Sequence, residues 1–418
     1  MPLVAAKCTE CGGNIQVDSE KRLAVCEHCQ SPFVIEEAIN NFTTNFINTG
    51  DSTTNISDSV VNIYEQKDKD FIIEAGVLKK YCGERTDISI PDNVIYIGDE
   101  AFAGLNGLRS VQMTDNVKSI GRSAFSGCAS LASITIQEGV EEIGERAFLM
   151  CCSLVIVSFP SSIKRIGAEA FIGCESLESI VIPNNIESIG KAAFAKCTNL
   201  IHITIPNGVE EICSEAFYDC VGLKQIDIPV SVKSIGHGAF LGCRNLINLT
   251  VPEGVKEIRY DAFRICTNLS YIKMPDSLES IQSNAFYQCF NLKEIKIPNN
   301  VTSIGRGAFF RCGNLTSIAI PEGVKKIESN TFKGCTNLIK IEASKNVKII
   351  NTSDYDIDSE YADVGYAFDK IQCPGLIQLM DQQQQEIKQD RRSKGLCMFC
   401  GGELNAFKTK CKSCGKKQ

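Results

Sequence analysis

The sequence predicts a repeat solenoid, a β-rich superhelix of 23-residue coils with a small cysteine-rich module at each end. Three observations carry this. Phenylalanine recurs at 102, 125, 148, 171, 194, 217, 240, 263, 286, 309 and 332, a step of 23 every time. Each phenylalanine heads the same pattern, AFxxCxxLxxIxIPxxVxxIGxx, in which the central segment alternates with the period of a strand. Paired Cys-x2-Cys units occur before residue 30 and after residue 396 and nowhere between.

Residues 1–37 form the first module. Cys8-x2-Cys11 is followed after fourteen residues by Cys26-x2-Cys29. This spacing lets two tight knuckles face each other and set four thiolates tetrahedrally around one zinc ion. A redox Cys-x2-Cys is the rival reading, but it needs a βαβ context that is absent. Four cysteines leave no open position, so such a site is structural rather than catalytic, and His28 is an exposed knuckle residue. Upstream, the apolar run Leu3–Ala6 has four residues. A secretory h-region needs roughly 7–15 and a membrane span roughly 18. The expectation is a cytoplasmic protein whose cysteines are metal ligands or buried thiols.

Residues 38–69 are rich in Asn and Thr and read as a polar linker. Residues 70–98 supply Phe71, Ile73, Val77, Leu78 and Tyr81 before a first strand at Ile88–Ile90, which reads as a hairpin-like cap.

Residues 99–343 are the array. The segment LxxIxI is a short strand, ended by a proline (Pro160, Pro183, Pro206 and on to Pro321) that has no N–H to donate. VxxI is a second extended piece, and AF with the residues up to the cysteine is a tight turn. The glycine after the fixed isoleucine gives way to Cys213, Arg259, Gln282 and Glu328, so that slot does not demand a positive φ. One unit cannot bury enough apolar surface to order itself. Stacked coils cover one another, and eleven or twelve at about 4.8 Å each make a solenoid roughly 55 Å long.

These residues resemble the BspA-like (Treponema pallidum-type) leucine-rich repeat of bacteria, over roughly residues 70–380. The resemblance implies a curved solenoid with a sheet on its concave side. It also implies relatives that are largely surface or interaction proteins, some of them adhesins, with no catalytic residues to carry over.

Cysteines 128, 151, 174, 197, 220, 243, 266, 289, 312 and 335 share one slot. Stacked side chains point the same way, so their Cβ vectors do not converge for disulfides. Thiols in a line cannot surround one ion. The first coil has Leu105 in the slot, and leucine replaces a core residue but not a ligand. The ladder is therefore core, with weak S–H groups able to reach a carbonyl.

Residues 344–380 are an acidic insertion and C-terminal cap. DYDIDSE (Asp354–Glu360) begins like a calcium loop, but Ser359 and Gly365 stand where its glycine and glutamate belong, so it is a solvated loop. Residues 381–394 are a helical linker, the later part of the helical run from Gly375 that stops at Gly395. Residues 395–418 are the second zinc ribbon, with Cys397, Cys400, Cys411 and Cys414. The sequence thus implies two structural zinc sites.

The net charge of −7 argues against a nucleic-acid binder overall. Residues 386–418 nevertheless hold nine Lys/Arg and three Asp/Glu. The three histidines, His28, His202 and His237, form no pair. GHGAFL and GRGAFF begin like phosphate loops but carry Leu241 and Phe310 at the third glycine. The function expected is a non-enzymatic scaffold that binds a protein partner, with no membrane and no small-molecule substrate. The alternatives are a nucleic-acid- or ribosome-associated protein acting through the C-terminal ribbon, and a surface adhesin. Residues eight and ten places after each phenylalanine point outward. Early coils carry Ser110, Ser133, Thr135, Ser158 and Ser179 there, and the middle coils His202, Gln225, Asp227, Asn248, Tyr271, Lys273, Glu294 and Lys296. These eight are the candidate partner-binding residues. The alternative is a merely solvated face.

Overall fold

A computed structural model describes residues 70–344, 346–350, 374–394, 396 and 416, together with four short strands within residues 3–34. The chain divides into two compact units, Met1–Asp70 and Phe71–Gln418. The polar linker 38–69 and the acidic stretch 354–360 lie outside the described residues.

In the first unit, β1 (Leu3–Lys7) pairs antiparallel with β2 (Asn14–Asp18), and β3 (Leu23–Val25) with β4 (Pro32–Val34).

The second unit opens with the hairpin of β5 (Phe71–Glu74) and β6 (Val77–Tyr81), antiparallel with a bulge at Ile72/Ile73. Its turn residues Ala75 and Gly76 both have positive φ, 49° and 77°, the sense that matches strand twist. β6 then pairs parallel with Tyr96–Ile97 and so begins the first sheet of the array.

Each coil contributes two strands to two parallel sheets. In one, three-residue strands such as His202–Thr204 and Gln225–Asp227 pair in register one coil apart. In the other, two-residue strands such as Glu211–Ile212 and Ser234–Ile235 do the same. The proline carbonyl closes the turn between them, as Val209 N–H donates to Pro206 O at 3.1 Å. The turn before the cysteine is 3₁₀-like: Cys243 N–H donates to Phe240 O, and Leu246 N–H to Cys243 O. Its backbone also bridges coils, with Phe240 N–H donating to Ala262 O at 2.9 Å.

The core is a set of columns. Phe102 through Phe332 are fully buried, and neighbouring rings stack 4.8–5.9 Å apart within 11° of parallel. Tyr81 extends the column at one end, 5.9 Å from Phe102, and Phe71 lies 5.0 Å from Tyr81. Aligned identical rings gain offset stacking at every step. A polar column runs beside it, the amides of Asn245, Asn268, Asn291 and Asn314 linked at 3.1 Å.

The glycine that follows the fixed isoleucine is not left-handed. It is there because the coils approach closely: a Cβ on Gly236 would lie 2.4 Å from Ser214 N. Most left-handed residues fall two before and two after a repeat phenylalanine, for example Glu215 and Asp219 around Phe217; Phe332 has only the second, Gly334. Glycine fills only some of these slots, among them Gly238 and Gly242. The first glycine pair of GHGAFL is thus accounted for by backbone geometry.

At the far end a 3₁₀ helix, Ser329–Phe332, replaces the last turn, and strands Lys340–Glu342 and Lys348–Ile350 complete the sheets. Helix α1 (Pro374–Ser393) lies on them. Gly375 N–H donates to Leu338 O at 2.8 Å, Gln383 Nε2 donates to Val347 O at 2.7 Å, and Leu379 is buried. The boundary expected at 380/381 therefore falls inside one helix. Capping and linking segments are a single element, because Pro374 takes the first helical position, where its missing N–H costs nothing. Arg391 and Arg392 stand in the last turn, against the negative end of the helix dipole.

Candidate interaction face

The three-residue strands bury their middle residue and expose the other two. All eight candidate residues are exposed: His202, Gln225, Asp227, Asn248, Tyr271, Lys273, Glu294 and Lys296. Strand register sets His202 beside Gln225, and Asn248 beside Tyr271. His202 Nε2 lies 3.8 Å from Asp227 Oδ2, and Gln225 Nε2 donates to Asp227 Oδ1 at 3.4 Å.

The backbone ladder of this sheet is interrupted between Gln225–Asp227 and Asn248–Thr250. An open depression of about 570 Å³ lies there, lined by Lys224, Gln225, Asp227, Ile247, Asn248 and Tyr271 among others. Four of the eight residues thus share one concavity. The same ladder is interrupted at three other steps, one of which separates Tyr271–Lys273 from Glu294–Ile295, and Glu294 pairs instead with Ser317. Glu294 and Lys296 do not line the depression.

The same face carries aliphatic residues that the sequence reading passed over. Val181 is 81% exposed and Ile156 58%, and both occupy the outward slots. Val155, Ile201 and Ile247, just before their strands, are also exposed. The signal was available: a β-branched residue in a slot held elsewhere by Ser or Thr. Along the array the outward slots hold Ile156 and Val181, then Tyr271 beside the depression, then Lys273 and Lys296, and Ile339, in the slot of Val155, Ile201 and Ile247, is exposed again beyond the lysines.

Each ladder thiol is buried and donates to the carbonyl of the phenylalanine one coil back. Cys128 Sγ reaches Phe102 O at 3.1 Å, Cys220 reaches Phe194 O at 3.0 Å, and Cys335 reaches Phe309 O at 3.0 Å. That oxygen already accepts an N–H from its own turn, and the thiol meets its second lone pair. Burial pushes the Cys128 and Cys220 thiols up to about 12 and raises the rest of the ladder. Leu105, in the same slot of the first coil, is half-buried.

His237 lies off this face, with Nδ1 2.8 Å from Tyr260 O, so it does not meet His202. No group of three metal-binding side chains occurs among the described residues. The expected zinc ligands Cys8, Cys11, Cys26, Cys29, Cys397, Cys400, Cys411 and Cys414 lie outside them.

The model of the BspA type leucine-rich repeat region matches residues 72–201, 164–289 and 256–356. This chain is a BspA-type leucine-rich-repeat protein. Among solved structures, a leucine-rich cell surface protein from Faecalibacterium prausnitzii A2-165 is 32% identical, covering 66% of this chain and 92% of that one, at TM-score 0.45. A leucine-rich repeat protein from Bacteroides ovatus ATCC 8483 is 22% identical, covering 83% and 88%, at TM-score 0.48. The pneumococcal vaccine antigen PcpA is 24% identical, covering 63% and 68%, at TM-score 0.49. No curated protein matches the chain. A BspA-type array is a fold that offers extended surface rather than a catalytic centre.

Proposed function

We propose that this BspA-type protein is a non-enzymatic scaffold that binds a protein partner through the three-residue-strand face of its middle coils. One observation carries the proposal. Outward slots held by Ser or Thr in the early coils hold Ile156 and Val181 and then Tyr271, on either side of the 570 Å³ depression. Exposed apolar residues gathered on one face mark interaction surfaces, and tyrosine is a favoured anchor. The lysines beyond Tyr271 suit acidic residues on the partner. An extended segment that carries aliphatic side chains followed by acidic ones fits the sequence of this face.

The test is affinity capture from native lysate, with and without nuclease, by the parent and by Tyr271→Ala with Lys273→Ala. Both side chains are exposed, so thermal stability should hardly change while capture is lost. Equal capture by the double variant would reject this face. Salt-sensitive capture that nuclease abolishes would favour nucleic-acid binding through the basic residues 386–418. Recovery at the cell surface would favour the adhesin alternative.

A further inference from the structure

We infer that the step between the coils of Phe217 and Phe240 is a hinge of the array, pivoting on the turns and opening on the candidate face, and that Arg259 holds it ajar from the opposite sheet. This deepens the reading of that face, since the step is the one that carries the depression, and it rests on that reading for what the hinge serves. The two sheets show where the array is loose. Among the described residues, the three-residue ladder is interrupted at this step, and the two-residue ladder is reduced to one pair, Ile235 with Ile258. Each of the other steps from Phe102 to Phe332 keeps one of the two ladders whole. Between the coils of Phe171 and Phe194, for example, the two-residue strands are unpaired but Ser179–Val181 pairs fully with His202–Thr204.

The glycine column accounts for the two-residue sheet. Where coils approach closely, the residue in the glycine slot donates its N–H to the isoleucine one coil back, as Gly190 does to Ile166 at 2.8 Å and Gly236 to Ile212 at 2.7 Å. A side chain in the slot does not open a step by itself. Gln282 keeps its bond to Ile258 at 2.8 Å, and its amide accepts Tyr260 N–H and donates to Glu257. Arg259 makes no such bond to Ile235. Its side chain reaches back across the step instead, and its guanidinium lies 3.6 Å from Glu211, two coils away. A backbone bond is thus replaced by an exposed ion pair, which holds weakly.

The turns supply the pivot. Glu215, Phe217 and Asp219 donate their N–H groups to His237, Ala239 and Leu241 O at 2.9, 2.9 and 2.7 Å, so this side of the step is closed. The rings record the splay. Phe217 and Phe240 are tilted 11° to each other, against 2–6° where the three-residue ladder is intact. The interrupted steps span 5–11°, and this one shares the largest value with Phe263 and Phe286. A step bonded on the turn side and loose in both sheets has few bonds that resist rotation. Closing it would set Gln225 beside Asn248 and Asp227 beside Thr250, in the register that His202 and Gln225 already show, and would fill the depression.

The experiment is hydrogen exchange of the full chain, resolved to single amides by mass spectrometry with fragmentation. It needs no partner, so failure of the hinge is read apart from failure of the face, which capture reads. Val251 N–H donates to Lys273 O at 2.9 Å and Gln282 N–H to Ile258 O, whereas Ile228 and Arg259, their counterparts at the hinge, have no such bond among the described residues. Protection factors at Ile228 and Arg259 should therefore be lower than at Val251 and Gln282 by about tenfold or more. Arg259→Gly lets the coils approach and should raise protection at Ile228 and at residue 259 about tenfold. Glu211→Gln leaves Arg259 in the slot but opens the ion pair, and should lower protection at Ile228 about two- to fivefold, the worth of an exposed pair. Equal protection at Ile228 and Val251 in the parent would overturn the hinge. A folded Arg259→Gly variant that exchanges at Ile228 as fast as the parent would overturn the role of Arg259, and so would an unchanged rate in Glu211→Gln.

Discussion

The cysteine ladder makes the array sensitive to alkali in a way that can be calculated. A thiol is charged when it loses its proton, and burial disfavours the thiolate. The folded protein therefore holds protons that the unfolded chain releases at its ordinary thiol pKa of about 8.5. Stability is complete below that pH. It falls as pH rises through the window up to about 12, where Cys128 and Cys220 ionise in place. Each thiol removes about 1.4 kcal/mol per pH unit within that window. Ten ladder thiols are buried in the array. Together they remove about 14 kcal/mol per pH unit, as much as the whole stability of an ordinary domain. Unfolding should be complete about one pH unit above the onset, near pH 9.5. The assay is circular dichroism against pH, with urea titrations at fixed pH values between 7 and 10. A variant with serine at 197, 220, 243 and 266 is the control. Serine keeps a donor for the phenylalanine carbonyl but does not ionise, so the dependence should drop to about 8 kcal/mol per pH unit for the six remaining thiols. The variant should be less stable than the parent at pH 7, so the slope of stability against pH, not the pH of unfolding, is the readout. A parent that stays folded at pH 11, or a variant whose stability falls as steeply with pH as the parent's, would refute the reasoning.

Phe240 stacks between Phe217 at 5.5 Å and Phe263 at 5.4 Å. Phe240→Ala should cost about 4 kcal/mol and, by hydrogen exchange, should open amides in the neighbouring coils first; uniform acceleration in every coil would contradict the nearest-neighbour picture. Under native conditions alkylation should modify exposed Cys82 and half-buried Cys152 well before Cys220 and Cys243, as mass spectrometry of the labelled peptides will show. Gly242 has φ +78°, and a Cβ there would collide with Asp219. Gly242→Val should therefore cost about 2 kcal/mol or more in urea unfolding, whereas Lys196→Gly, at an exposed residue with φ 58°, should gain up to about 1 kcal/mol.

Much of the array is legible in the sequence because its constraints are one-dimensional. A residue that must stack on its own copy one coil away has to recur every 23 places, so Phe, Leu, Cys and the inward aliphatics are visible as columns. The left-handed residues escaped for the opposite reason. Their requirement falls on the backbone, and the chain meets it with Glu, Ser, Arg, Asp and Asn as well as Gly, so no column forms. The one clear glycine column answers a different need, the close approach of neighbouring coils. The helix was legible from Gly375, one residue inside its start at Pro374, but its packing on Leu338 and Val347 was not, because that contact is set by the last coils and not by the helix's own apolar pattern.

The face proposed to bind is hard to read for a related reason. The architecture asks nothing of the outward slots except that they tolerate water, so a solvated sheet could carry Ser and Thr throughout. Departures there are not explained by the core. His202 and Asp227 are ordinary solvated polar residues, and one exposed valine would be ordinary too, but Ile156, Val181 and Ile201 stand on one face in three successive coils, and such a gathering marks an interaction surface. The aliphatic exceptions are therefore better evidence for a partner than the polar ones that first drew notice. Ile156 and Val181 lie on the opposite side of the depression from Lys273 and Lys296. A partner that covers both must span several coils, from Val155 to Lys296, and must lie across the strands. Such a footprint spreads binding over many slots, so single substitutions at its ends should weaken capture in proportion to the apolar area they expose. The paired change at Tyr271 and Lys273, near its centre, should do the most damage.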